Sequence, residues 1–134
     1  MVRDDFSVLF VCVHNAGRSQ IAEAFARRRG LTASSAGTFP AAGINPTVVQ
    51  AMKEKGIDLS RKHPKMLTLE MIEKASLVVT MGCSVEEVCP RPILAKMQEK
   101  LIDWDLDDPK GKSLDEVRRI RDEIEGRIST LSSR

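Results

Sequence analysis

The chain has 134 residues, 42% of them hydrophobic and 30% charged, with 21 basic against 19 acidic side chains and a formal net charge of +2. That balance excludes a disordered polymer, and without a long basic block or interleaved aromatic run it excludes a nucleic-acid-binding surface. A chain of this size buries about two-thirds of its unfolded surface, enough for a core of its own, so residues 1–134 are expected to form one domain.

Phe6–Val13, the first apolar run, is too short to span a membrane. It follows Arg3, Asp4 and Asp5, with no small-residue cleavage site close behind. Neither an anchor nor a secretory leader is expected, which predicts a cytoplasmic chain; a monomer is also expected. Cysteines there do not build a disulfide scaffold, and burial as a small hydrophobe is the default for each of the three.

Phe6–Cys12 reads as a strand covered on both faces, because its apolar run is continuous. Ser19–Arg29 follows as a helix with Ile21, Ala22 and Phe25 on one side and Gly30 as its stop. Leu31–Ala36 is a second strand. Asn45 and Pro46 suit the cap and first position of a helix that buries Val48, Val49 and Met52 and ends at Gly56. Thr68 caps a brief helix carrying Leu69 and Ile72, and Ser76–Thr80 is a third strand.

Two capping boxes come next. Ser84 with Glu87 opens a short helix, and Ser113 with Glu116 opens the last one. Between them, Leu101–Trp104 is a fourth strand running into the acidic turn DLDDPKG. The final helix places Val117, Ile120, Ile124, Ile128 and Leu131 on one stripe, three or four residues apart. Strands alternating with helices predict a three-layer α/β/α sandwich on a four-stranded parallel sheet. Ligands in such sheets gather beyond the carboxyl ends of the strands. Cys12, residues 81–90 and Asp105–Asp108 all follow strands, so they are expected on one rim.

The stretch CVHNAGRS joins a strand to a helix start with the spacing Cys-x5-Arg-Ser. Such a loop turns the backbone N–H groups of Val13, His14, Asn15, Ala16, Gly17, Arg18 and Ser19 inward, at the positive end of a helix dipole. Gly17 permits a positive φ or a close backbone approach. Arg18 supplies a planar fork for two oxygens of a tetrahedral anion. The same donors stabilise a thiolate at Cys12, with Ser19 adding a hydrogen bond to the sulfur. A nucleophile below a cradled oxyanion is the resulting arrangement. A thiolate needs no base, so His14 is read as shaping the loop.

CVHNAGRS followed by QIAEAF resembles the active-site loop of the low-molecular-weight protein tyrosine phosphatase superfamily. SSAGT at 34–38, INPTVVQAMKEKGID at 44–58, LVVTMGC at 77–83 and DLDDPKGKS at 105–113 are similar, in order, to its arsenate reductase branch. The resemblance implies that Asp108, before Pro109, is the general acid; Asp105 and Asp107 either share that role or lie as solvated turn acids. A tyrosine after that Asp-Pro is usual in the phosphatase branch; Lys110 stands here, and the chain has no tyrosine.

Cys83 precedes the N-cap Ser84, a position that favours a thiolate. A helix over Ser84–Cys89 would separate Cys83 from Cys89 by about 9 Å along its axis, beyond the roughly 7 Å Cα limit for a disulfide. Bonding the pair requires local unwinding, eased by Pro90 and Pro92. With the resemblance, the pair reads as a redox switch. The resemblance implies a relay in which Cys12 attacks arsenate, Cys83 attacks Cys12, Cys89 attacks Cys83, and thioredoxin reduces the pair. The alternative is a phosphatase that hydrolyses phosphate monoesters through a Cys12 phosphocysteine. Cys83, Cys89 and His63 do not supply a zinc site. Some relatives hold a monovalent cation on residues resembling Asn15, Glu23 and Ser35. Lys65 stands where the facing carboxylate would be, either placing its ammonium at that point or lying as an ordinary surface lysine. No metal or cofactor is expected.

Overall fold

A computed structural model describes residues 6–81 and 101–132 of the chain. Strands β1 (Ser7–Cys12), β2 (Thr32–Gly37), β3 (Leu77–Thr80) and β4 (Leu101–Asp103) form one parallel sheet in the order β2-β1-β3-β4. Helices α1 (Arg18–Arg28), α2 (Pro46–Lys53), α3 (Leu69–Lys74) and α4 (Leu114–Ser132) complete the described elements. The expected helix after Ser84, with Cys83 and Cys89, lies outside the described residues.

Alternation along β1 divides the core. Val8, Phe10 and Cys12 pack with apolar residues of α1, α2 and α4 on one face of the sheet. Leu9 and Val11 pack with Leu67, Ile72 and Val78 on the other. Helices therefore cover both faces, giving the expected three layers. Fully buried side chains such as Ile124 and Ile128 contribute about 1.5–3 kcal/mol each.

The caps act as their side chains dictate. Asn45 Oδ1 accepts from the Thr47 N–H at 2.9 Å and Thr68 Oγ1 from the Met71 N–H at 3.2 Å. Ser113 and Glu116 cap one another reciprocally, Oγ accepting at 3.3 Å and Oε1 at 3.5 Å. Boundaries shift by one residue where a hydrogen bond decides them. The Leu31 N–H turns back to Ala26 O at 3.0 Å and closes α1, so β2 starts at Thr32 and reaches Gly37, opposite Cys12. β4 ends at Asp103, and Trp104 turns inward with its ring 5.8 Å from that of Phe10.

At the carboxyl end of β1 the chain leaves first for β2 and later for β3 on the opposite side, so Cys12 sits at the sheet's switch point. α2 is fastened behind this rim by ions. Glu54 accepts from Arg118 and from Arg121, the latter at 2.7 Å, which ties the end of α2 to α4. No helix among the described residues is long and apolar enough to cross a membrane.

Candidate active site

Every carbonyl from Cys12 to Gly17 is engaged outside the loop. Those of Cys12, Val13, His14 and Ala16 accept from the N–H groups of Thr38, Phe39, Ala41 and Asn45 at 2.8–3.3 Å. Asn15 O accepts from Gln20 Nε2 at 3.2 Å, and Gly17 O from the Ile21 N–H at 3.0 Å. With the carbonyls turned out, the N–H groups turn in. Those of Val13, His14, Ala16, Gly17, Arg18 and Ser19 have no acceptor among the described residues. Gly17 caps α1 without a side chain, which leaves the positive end of that helix open to an anion.

Cys12 is 3% exposed and lies at the floor of this loop. Its sulfur accepts the Asn15 N–H at 3.1 Å and lies 2.8 Å from Ser19 Oγ. The direction of the second contact follows from its neighbours. The Lys65 backbone N–H can only donate, and it reaches Asn15 Oδ1 at 2.8 Å. Asn15 Nδ2 must then donate to Ser19 Oγ, also at 2.8 Å. The serine hydroxyl is left to donate its own proton to Cys12 Sγ. Two donors thus converge on the sulfur, the pattern a thiolate requires.

The left-handed residue of the loop is Asn15, with φ 51°, and not Gly17, whose φ is −146°. Of the two uses expected for Gly17, close approach holds. A Cβ there would lie 2.7 Å from Pro109 Cγ. Gly37 is as crowded, since a Cβ would meet Val13 O at 2.5 Å. Both glycines let neighbouring segments lie against the cradle.

Arg18 is buried and has two duties. Its Nη1 donates to Met81 O after β3 and to Leu106 O after β4, the latter at 2.9 Å. That leaves Nε and Nη2 for an anion, and Nη2 lies 3.8 Å from Asp108 Oδ2. Asp108 is half exposed, accepts the Lys110 N–H at 3.0 Å, and lines the cavity above Cys12. Asp107 lines a different cavity beside α4, and Asp105 lies exposed on the loop. Of the three aspartates, Asp108 alone faces the sulfur's cavity.

His14 is exposed, and its Nδ1 donates to Phe39 O at 3.1 Å, fixing the turn beside the cradle. Glu23 is 3% exposed; its Oε1 accepts from Ser35 Oγ at 2.7 Å and lies 3.6 Å from Lys65 Nζ. Lys65 Nζ thus lies beside the buried Glu23 carboxylate while its side chain remains 41% exposed. His63 contributes a backbone carbonyl to Gln20. Among the described residues no group of three or more His, Cys, Asp or Glu side chains is arranged to hold a metal. Cys83 and Cys89 lie outside the described residues.

Sequence reasoning missed the walls of the cavity and the anchors of Arg18. The cavity measures about 580 Å³, with Phe39, Ile44, Pro46 and Pro109 among its lining. The only signal for Phe39 was an aromatic in a Gly/Pro/Ala-rich stretch. The Met81 and Leu106 carbonyls carry no side-chain signal at all.

Relatives and solved structures agree with this architecture. An arsenate reductase of Brevibacillus brevis is 38% identical over 129 residues, 94% of this chain and 93% of that protein. A solved arsenate reductase in the phosphate binding state superposes with a TM-score of 0.81 at 31% identity, over 96% of this chain and 97% of its own. A thioredoxin-dependent arsenate reductase of Corynebacterium glutamicum superposes at 0.75 with 38% identity, over 97% of this chain and 62% of its own. The profile of the low molecular weight phosphotyrosine protein phosphatases matches residues 7–134, and the chain belongs to that family.

Proposed function

We propose that the chain reduces arsenate to arsenite, with Cys12 as nucleophile and a Cys12–Cys83–Cys89 disulfide relay that thioredoxin regenerates in the cytoplasm. The observation that carries the first step is the pair of donors, Asn15 N–H and Ser19 Oγ, aimed at the Cys12 sulfur beneath an N–H-lined loop. Arsenate sits on those N–H groups and on Arg18 Nε and Nη2. The Cys12 thiolate attacks arsenic, a sulfur–arsenic bond forms, and one arsenic–oxygen bond breaks as Asp108 protonates the departing oxygen.

The second step is redox. The Cys83 thiolate attacks Cys12 Sγ, forming a disulfide, and the electron pair of the sulfur–arsenic bond stays on arsenic, which leaves as arsenite. Cys89 then attacks Cys83, Cys12 departs as a thiolate, and the dithiol of thioredoxin reduces Cys83–Cys89. Cys83 follows Met81 by two residues in the sequence, a reach of at most about 7 Å, and Met81 O is bound by Arg18. The arsenate reductase relatives, one of them thioredoxin-dependent, support this reading.

A second activity, hydrolysis of phosphate monoesters through a Cys12 phosphocysteine, is favoured by the cavity. Its volume of about 580 Å³ is far larger than a four-oxygen anion needs, and its apolar walls suit a substituent. Purified protein with thioredoxin, thioredoxin reductase and NADPH separates the two. Arsenate-dependent NADPH oxidation is the expected result. Aryl-phosphate hydrolysis with no arsenate-dependent oxidation would leave only the phosphatase.

A further inference from the structure

We propose that Gln20 is a positioning residue for Cys12, acting through Asn15; this rests on Cys12 being the nucleophile. Asn15, which gives its N–H to the sulfur, holds a left-handed backbone, φ 51°, uncommon for a residue with a Cβ. Something must hold it there. Gln20 Nε2 donates to Asn15 O at 3.2 Å and to Asn15 Oδ1 at 3.0 Å, gripping main chain and side chain of one residue with one amide.

The polarity of that grip also matters. By holding Oδ1, Gln20 joins the Lys65 N–H in keeping Nδ2 turned to Ser19, and Ser19 turned to the sulfur. Gln20 therefore supports both donors that converge on Cys12. The fold pays for this, since the side chain is 1% exposed and its Oε1 has no partner among the described residues. An apolar side chain at this buried position of α1 would carry no orphaned oxygen. A buried polar group left half satisfied, one contact from a nucleophile, points to the loop as its reason.

The test reads Cys12 directly, with Cys83 and Cys89 replaced by serine so that one thiol reports. Gln20→Met keeps the length and removes the donor; Gln20→Glu keeps the shape and sets acceptors against acceptors. Both should lose thiolate absorbance in the ultraviolet at neutral pH and slow alkylation by iodoacetamide by about tenfold or more. Ile128→Val, in the core of α4, should lower the melting temperature and leave both readouts unchanged at temperatures where it stays folded. Unchanged absorbance and alkylation in folded Gln20→Met and Gln20→Glu would overturn the proposal. Nuclear magnetic resonance of the Gln20 side-chain amide needs no Gln20 variant. Protected protons that shift when Cys12 is alkylated support the grip, and freely exchanging ones overturn it. A wild-type Cys12 without thiolate absorbance overturns the nucleophile and this proposal together. A reactive Cys12 with no arsenate reduction overturns the reductase alone and leaves the Gln20 result standing.

Discussion

At the scale of single residues, the Ser19 hydroxyl is the most exacting part of the site. Its proton goes to the sulfur because Asn15 Nδ2 already occupies the oxygen as donor. A hydrogen bond to a charged group contributes about 1.5–3 kcal/mol, so Ser19→Ala should slow the first step about ten- to hundredfold. Rapid-mix measurement of Cys12–Cys83 disulfide formation with arsenate checks this, and a rate within twofold of wild type would remove Ser19 from the mechanism. Asp108 has a different signature. It protonates a leaving oxygen and lies 3.8 Å from Arg18, so Asp108→Asn should cut kcat by about a hundredfold or more while KM for arsenate changes little. A matching rise in KM with kcat intact would make Asp108 a binding group instead.

At the scale of elements, legibility tracked the distance between partners. The helix at Pro46 and its Asn45 cap, the Thr68 cap and the Ser113–Glu116 box were readable because each bond spans three residues or fewer. Arg18 was readable as a phosphate-shaped fork, yet its carbonyl anchors lie 63 and 88 residues away and have no local signature. The same holds for Glu54. Its hydrogen bonds to Arg118 and then Arg121 hold its carboxyl at about 2, down from 4.5. In the unfolded chain this group takes up its proton first, so its stabilising contribution is complete above about 4.5 and is lost as pH falls through about 2. Urea midpoints of wild type and Glu54→Gln should therefore differ by a constant amount near neutrality and converge across that interval. A difference that stays constant down to the acid end would show that Glu54 acts through packing.

The whole molecule decides what the oxidised sulfur can do next. Sheet order β2-β1-β3-β4 puts Cys12 at the switch point and the ends of β3 and β4 beside it, and Arg18 bonds to the residues that follow both strands. The rim was legible from alternating strands and helices, since parallel sheets gather their ligands there. Residues 82–100, outside the described residues, include the two cysteines on which reductase and phosphatase part. A phosphatase finishes with Cys12 free and has no use for Cys89. In the relay, Cys89 is the group that releases Cys12 from Cys83. Cys89→Ser should accordingly form one equivalent of arsenite per chain and stop, with mass spectrometry of peptides finding Cys12 joined to Cys83. Aryl-phosphate hydrolysis by the reduced variant should continue, because it draws on the cradle and Asp108 alone. Sustained arsenate-dependent NADPH oxidation by Cys89→Ser with thioredoxin would mean that thioredoxin attacks the Cys12–Cys83 bond directly, and the third cysteine would lose its place in the sequence of steps.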